Sequence, residues 1–193
     1  SDAAALRCKA ELKGDKYIVN GTKVFITNGP VARYCVLAAT TDLSLGYKGV
    51  INLIVDLKET PGFKVGKVEE KLGILASGTS ELVFEDAEIP AANLLGKPGQ
   101  GFQQMMAGLN AGRIGIGAQA CGIGRACLED ALNYAKERVQ FGKPIVSNQI
   151  IQFKLADMAT QLDAAELLLL RAAWMEDQGM DFEMESAMSK YYA

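Results

Sequence analysis

A change of hydrophobic period halfway along the chain limits its possible folds more than any other feature. Up to about residue 97, apolar and polar residues alternate in short runs, whereas from Gly99 onward apolar residues recur every three or four positions. Alternation places one side of a strand against a core, and a 3.6-residue period does the same for one stripe of a helix. The chain therefore reads as α+β, with a β part at 1–97 and a helical part at 98–193.

Within the β part, Tyr17-Ile18-Val19 and Thr22 to Thr27 flank Asn20-Gly21, a strong hairpin signal because both central positions tolerate positive φ. Leu6 to Leu12 alternates before it, and Gly14-Asp15 turns that run into Tyr17. Further strands are expected at Tyr34–Ala39, Val50–Val55, Phe63–Val68 and Leu82–Phe84, separated by connections such as Asp42 to Gly49 and Glu59-Thr60-Pro61-Gly62. Short strands at this spacing, with no helices between them, suggest an antiparallel sandwich or barrel.

In the helical part, Phe102, Met106, Leu109, Arg113, Ile116, Ala120, Ile123 and Cys127 mark the expected inner stripe of one long helix ending near Val139. After the loop Gln140 to Pro144, Ser147 is the expected N-cap of a second helix. Its stripe is Ile151, Leu155, Met158, Leu162, Ala165, Leu169 and Ala172, and Gln178-Gly179 ends it. A third helix is expected from Met184 to Ala193. Two and a half helices leave an apolar face uncovered, so further residues or another subunit should cover it.

Composition removes several kinds of chemistry. The chain has no histidine, which excludes Ser-His-Asp and Cys-His nucleophiles and His-ligated zinc from these residues. A formal net charge of −3 without a basic run argues against a nucleic-acid partner. No uncharged apolar run reaches the roughly 18 residues of a membrane-spanning helix. The four cysteines, Cys8, Cys35, Cys121 and Cys127, form no C-x-x-C pair and read as buried free thiols of a reducing compartment. No charged-then-apolar leader is visible, and a start at Ser1-Asp2 without Met leaves open a piece of something longer.

Few residues suggest a site by themselves. Gly112, Gly115, Gly117, Gly122 and Gly124 lack the preceding strand that a dinucleotide fingerprint needs, and they lie inside a helical stripe. Close approach of another helix or a flat ligand explains them better. Arg113 falls on the apolar stripe and shares a helix face with Asn110. An internal ion pair, a watery bundle end and an anionic ligand all remain open for it. Arg138 at a helix end is explained equally by the helix dipole, and Thr27-Asn28-Gly29 by a simple turn.

Taken in order along the chain, several segments resemble the acyl-CoA dehydrogenase family. They are the run from Gly14-Asp15-Lys16 through Thr27-Asn28-Gly29; Lys71-Leu72-Gly73-Ile74; Phe84-Glu85-Asp86 with Ile89-Pro90; Gly112-Arg113-Ile114-Gly115; and Glu137-Arg138-Val139-Gln140-Phe141-Gly142-Lys143-Pro144 followed by Gln149. The resemblance covers the whole chain and is strongest to short-chain and short/branched-chain members. It implies a middle β-barrel domain over 1–97 and an incomplete C-terminal four-helix bundle over 98–193. The family's N-terminal helices, and the C-terminal Tyr-Glu-Gly-Thr-like motif that carries the catalytic glutamate in most members, have no match here.

The resemblance also implies roles. Phe25, Ile26 and Thr27 match the flavin-contacting segment, with Phe25 where the family often has Trp. Arg138, Phe141 and Gln149 match residues around the FAD of a neighbouring subunit. Ser1, Asn110, Ala111, Gly112 and Arg113 match acyl-CoA contacts. Some members carry the catalytic glutamate just before the arginine; here that position is Gly112, and no catalytic base is assigned within the chain. The implied reaction is FAD-dependent α,β-dehydrogenation of a short or branched acyl-CoA to the trans-2-enoyl-CoA. The implied partners are an electron-transfer flavoprotein and copies of the same chain, in a tetramer or dimer, in a bacterial cytoplasm or mitochondrial matrix. The alternatives are an inactive truncated core and an acyl-CoA oxidase-like relative.

Overall fold

The computed structural model describes residues 2–193, which form two compact units, residues 2–105 and 106–193. In the first, β1 (Lys9–Lys13), β2 (Lys16–Thr27), β3 (Tyr34–Thr40), β4 (Val50–Asp56), β5 (Phe63–Val68) and β6 (Thr79–Pro90) make one sheet in the order β4-β3-β1-β2-β6-β5. A short 3₁₀ segment, Leu43–Gly49, fills the connection before β4. Inward side chains of all six strands, Val19, Ala39, Leu53, Val55, Phe84 and Ile89 among them, build a single core.

The expected barrel is corrected in two respects. The edge strands β4 and β5 do not pair, so the sheet is open. One contact is parallel: Lys9 of β1 stands beside Thr40 of β3. The chain turns back tightly from β1 into β2 and then places β3 on the far side of β1, which makes β3 antiparallel to β2 and parallel to β1.

The Asn20-Gly21 hairpin is also corrected. The tight turn lies at Gly14-Asp15, with Gly14 at φ +62°, and β2 runs unbroken through Asn20-Gly21. Gly21 is required by a close approach, since a Cβ there would lie 2.8 Å from the Cys8 Cα. The same residue pair that favours a turn also favours a bulge within a strand.

The helical elements are α1 (Gly101–Glu137), α2 (Gln149–Asp177) and α3 (Glu183–Tyr192). The first turn of α1 belongs to the sheet unit: Asn52 Nδ2 donates to the Gly101 carbonyl and to Gln104 Oε1, both at 2.9 Å. In the second unit α1 and α2 run antiparallel. Leu169 Cδ1 sits 3.3 Å from where a Gly117 Cβ would stand, and Leu162 Cδ1 sits 3.4 Å from that of Gly124. The stripe expected on α1 is therefore out of phase. Gly117, Cys121 and Ala135 are buried, while Leu109, Ile116, Ile123 and Cys127 are exposed. Helices approach most closely where side chains are smallest, so the glycines set the contact line instead of the large apolar residues.

The α2 stripe is in phase except for the exposed Met158. The α2 N-cap is Asn148, one residue after Ser147, which lies in a preceding 3₁₀ turn. Buried Glu185 of α3 is held by Arg171 at 2.8 Å. The expected uncovered apolar face is present as exposed Leu167, Leu170 and Trp174. All four cysteines are free; Cys127 is exposed, against expectation. No helix among the described residues is long and apolar enough to cross a membrane.

Candidate functional site

Phe25, Ile26 and Thr27 close β2 just after a bulge. Lys23 pairs with Leu82 and Ile26 with Ser80, so Val24 and Phe25 together stand opposite Glu81 alone. Phe25 takes φ +57° there. The extra residue reverses the alternation. Tyr17, Val19 and Lys23 point inward before the bulge, but Ile26 does so after it and packs on the core. Phe25, 70% exposed, and Thr27 are thereby turned outward. Asn28 at φ +61° then leads into a turn, with its N–H donating to the Gly78 carbonyl at 2.7 Å and its carbonyl accepting from Ala32 at 2.8 Å. The strand end thus offers an aromatic ring and a hydroxyl side by side on a rigid support.

On α1, Arg113 Nη1 donates to Asn110 Oδ1 at 2.6 Å, confirming their shared face. Arg113 is half-buried and has no carboxylate partner among the described residues. Ala111 and Gly112 are exposed, and nothing lies within 4 Å of where a Gly112 Cβ would be. This turn of helix is an open surface edged by one guanidinium. Ser1 lies outside the described residues.

Arg138, Phe141 and Gln149 surround a hairpin between the helices. Its strands β7 (Val139–Gln140) and β8 (Lys143–Pro144) are joined by Phe141 and Gly142 at φ +54° and +75°, both positive as a type I′ turn demands. The turn holds Phe141 93% exposed. Arg138 is fixed through its backbone, donating to the Tyr134 carbonyl and accepting from the Ile145 N–H, each at 2.8 Å. Its guanidinium is exposed and without a carboxylate among the described residues, and Gln149 is the exposed first residue of α2. Along α1, Arg113 and Arg138 stand about 37 Å apart at 1.5 Å per residue, too far for one small group to meet both.

Sequence reading missed three polar side chains of β2 and β6. Asn20 and Asp86 bond to each other across the strands, at 2.9 Å and 2.8 Å. Lys23 is half-buried near Cys8 and Cys35, beside a cavity of about 190 Å³ lined also by Leu37 and Leu82. Burial lowers the Lys23 pKa against the pull of the two thiols, and burial pushes the Cys35 thiol up to about 11. The alternation Tyr17, Val19, Gly21, Lys23 could have revealed this inward lysine.

Each unit taken by itself offers groups that suit part of a flavin nucleotide such as FAD. The sheet unit presents the Phe25 ring at a strand bulge beside the Thr27 hydroxyl. The helical unit presents the Phe141 ring on a turn beside the Arg138 guanidinium, which has no carboxylate partner among the described residues.

Comparison with known proteins gives the family of the chain. The acyl-CoA dehydrogenase middle domain matches residues 1–87 and the acyl-CoA dehydrogenase C-terminal domain matches residues 99–193. An acyl-CoA dehydrogenase of Bacillus subtilis is 53% identical over the full chain, which spans 51% of that protein. The human mitochondrial short-chain specific acyl-CoA dehydrogenase is 47% identical, with 100% of this chain and 47% of that protein covered. The structure of butyryl-CoA dehydrogenase from Megasphaera elsdenii superposes with a TM-score of 0.96 at 46% identity, covering 99% of this chain and 50% of that one. The chain thus spans about half the length of the curated relatives it matches.

Proposed function

The chain belongs to the acyl-CoA dehydrogenase family, and from that premise we propose that it forms the flavin-facing and thioester-facing parts of an FAD-dependent enzyme for short or branched acyl-CoA substrates. The observation that carries this reading is the bulge that turns Phe25 and Thr27 outward together at the end of β2. When bound, FAD supplies a two-electron acceptor for the hydride from the β-carbon of the thioester.

The chain's residues supply binding and orientation. Phe25 offers a ring face against which a flat heterocycle stacks, and the Thr27 hydroxyl donates at its edge. Arg113, steadied by Asn110, offers a cation beside the open surface over Gly112. A carboxylate taking the α-proton has room there, since Gly112 has no side chain. Arg138 presents a guanidinium to a phosphate of FAD bound by a neighbouring subunit, with Phe141 and Gln149 beside it. The electron-accepting partner is of the electron-transfer flavoprotein class.

The full-length protein should purify yellow, and butyryl-CoA added without oxygen should bleach its visible band. Thr27→Ala and Phe25→Ala should each alter that band. A colourless protein that takes up no FAD on reconstitution would refute the reading. Rapid reoxidation by oxygen after bleaching would favour the oxidase alternative.

A further inference from the structure

We propose that Asn20 and Asp86 are positioning residues that fix which side chains face outward at the far end of β2; this rests on the flavin reading of Phe25 and Thr27. The argument comes from register. From Lys16 opposite Pro90 to Val19 opposite Ala87, β2 and β6 pair without interruption. Gly21 then pairs with Phe84, so Glu85 and Asp86 stand opposite Asn20 alone and β6 carries one extra residue. Past Lys23 opposite Leu82, Val24 and Phe25 stand opposite Glu81, and β2 carries the extra residue. The two bulges cancel, and only Gly21–Lys23 runs in the shifted register.

The bulges are held differently. At the first, the Asn20 side chain takes the place of ladder bonds: Asn20 Oδ1 accepts from the Asp86 N–H at 2.8 Å, and Asn20 Nδ2 donates to Asp86 Oδ1 at 2.9 Å. That pair holds Asp86 at φ +48°, a conformation unfavourable for a residue with a side chain. At the second, Phe25 sits at φ +57°, and Glu81 opposite the bulge is bonded not to β2 but to β5, accepting from the Lys67 N–H at 3.3 Å. The bulge clamped by bonds between β2 and β6 sets the offset, and the other takes it back.

Without the clamp the strands can re-pair in two ways. Losing both bulges would carry the inward alternation of Tyr17, Val19, Gly21 and Lys23 on to Phe25 and Thr27, turning both away from solvent. Keeping only the second bulge would slide Thr27 by one partner along β6. Either change alters what meets the cofactor, although neither Asn20 nor Asp86 need touch it.

The test uses the full-length protein with FAD bound. Asn20→Ala should weaken FAD retention about tenfold and change the visible circular dichroism of the flavin. Asn20→Asp, which removes the donor and opposes two carboxylates, should do at least as much. Adding Asp86→Asn to Asn20→Asp restores both bonds, the side-chain bond with donor and acceptor exchanged and the backbone N–H of residue 86 still donating to residue 20, and should recover the parent signature. Lys16→Ala breaks the Lys16–Glu88 contact, 2.6 Å on the same two strands before the first bulge, and should leave the signature unmoved. An unchanged signature and retention in folded Asn20→Ala would overturn the proposal. If Asn20→Ala fails to fold, the exchanged pair decides: a folded exchanged pair with an altered signature also overturns it. Phe25→Ala separates the two readings. If it leaves the flavin unaffected, the site reading itself fails; if it acts while Asn20→Ala does not, only the positioning role fails.

Discussion

At Cys35 and Lys23 burial works on two groups of opposite charge type, and their effects on stability oppose each other. Burial raises the Cys35 thiol from 9.0 to about 11, partly offset by the Lys23 ammonium, and raises Cys8 in the same direction. The folded protein keeps these protons after an unfolded chain has released them. The contribution of Cys35 to stability is therefore complete below about pH 9 and is lost as pH rises to about 11. Lys23 acts the other way, because burial disfavours its ammonium and that penalty fades as pH nears its ordinary value of 10.5. The melting temperature should fall between about pH 9 and 11, and Cys35→Ala should flatten that fall. An unchanged slope in Cys35→Ala would show that the thiol retains no proton advantage on folding.

Between elements, the glycines of α1 divide into two kinds. Gly117 is a dent filled by Leu169 Cδ1 at 3.3 Å, with α3 backbone at 3.6 Å, whereas nothing lies within 4 Å of a Cβ at Gly122. Gly117→Val should lower the stability of the helical unit by about 1–3 kcal/mol through overpacking. Gly122→Ala should raise it by about 0.5–1 kcal/mol by removing backbone freedom from a helix interior. Urea unfolding midpoints of the two variants should move in opposite directions. The same glycines show what was legible in the sequence. Strands and helices were readable because each needs only its own periodicity; β5 falls on Phe63–Val68 as expected. The α1 phase was not readable, since the closest approach of α2 depends on where side chains are missing. The Asn20-Gly21 bulge and the outward turn of Phe25 depend on how many residues β6 sets against β2, a number that β2 alone does not contain. Only the family resemblance points to Phe25, Arg113 and Arg138 as a site; local rules alone give the two arginines an ordinary structural explanation and leave Phe25 unremarked.

At the scale of the whole molecule, Arg138 stands about 37 Å from Arg113 along one helix, and on the proposed reading it meets the FAD of a neighbouring copy. Arg138→Ala should then weaken FAD retention by about 10- to 150-fold, the loss of roughly 1.5–3 kcal/mol for a charge-assisted bond, most visibly on dilution. Flavin measured in the filtrate of diluted parent and variant tests this, and equal release from both would remove Arg138 from the site. The last expectation concerns the proton. The helical turns around Arg113 hold Asn110, Ala111, Gly112, Ile114, Gly115 and Ile116, with no carboxylate among them. Glu129 and Asp130 lie about 24 Å further along α1. Other carboxylates are already engaged: Glu81 accepts from the Lys67 N–H at 3.3 Å, Glu85 holds the Lys64 ammonium at 2.9 Å, and Asp86 is bonded to Asn20. Asp157 and Asp163 are exposed on α2. A thioester α-proton is too weakly acidic to leave without a base held against it, and orientation alone does not supply that base. These 193 residues, reconstituted with FAD, should therefore fail to turn butyryl-CoA over with an artificial electron acceptor. Turnover at a rate near that of a complete acyl-CoA dehydrogenase would show that one of these carboxylates reaches the α-carbon after all.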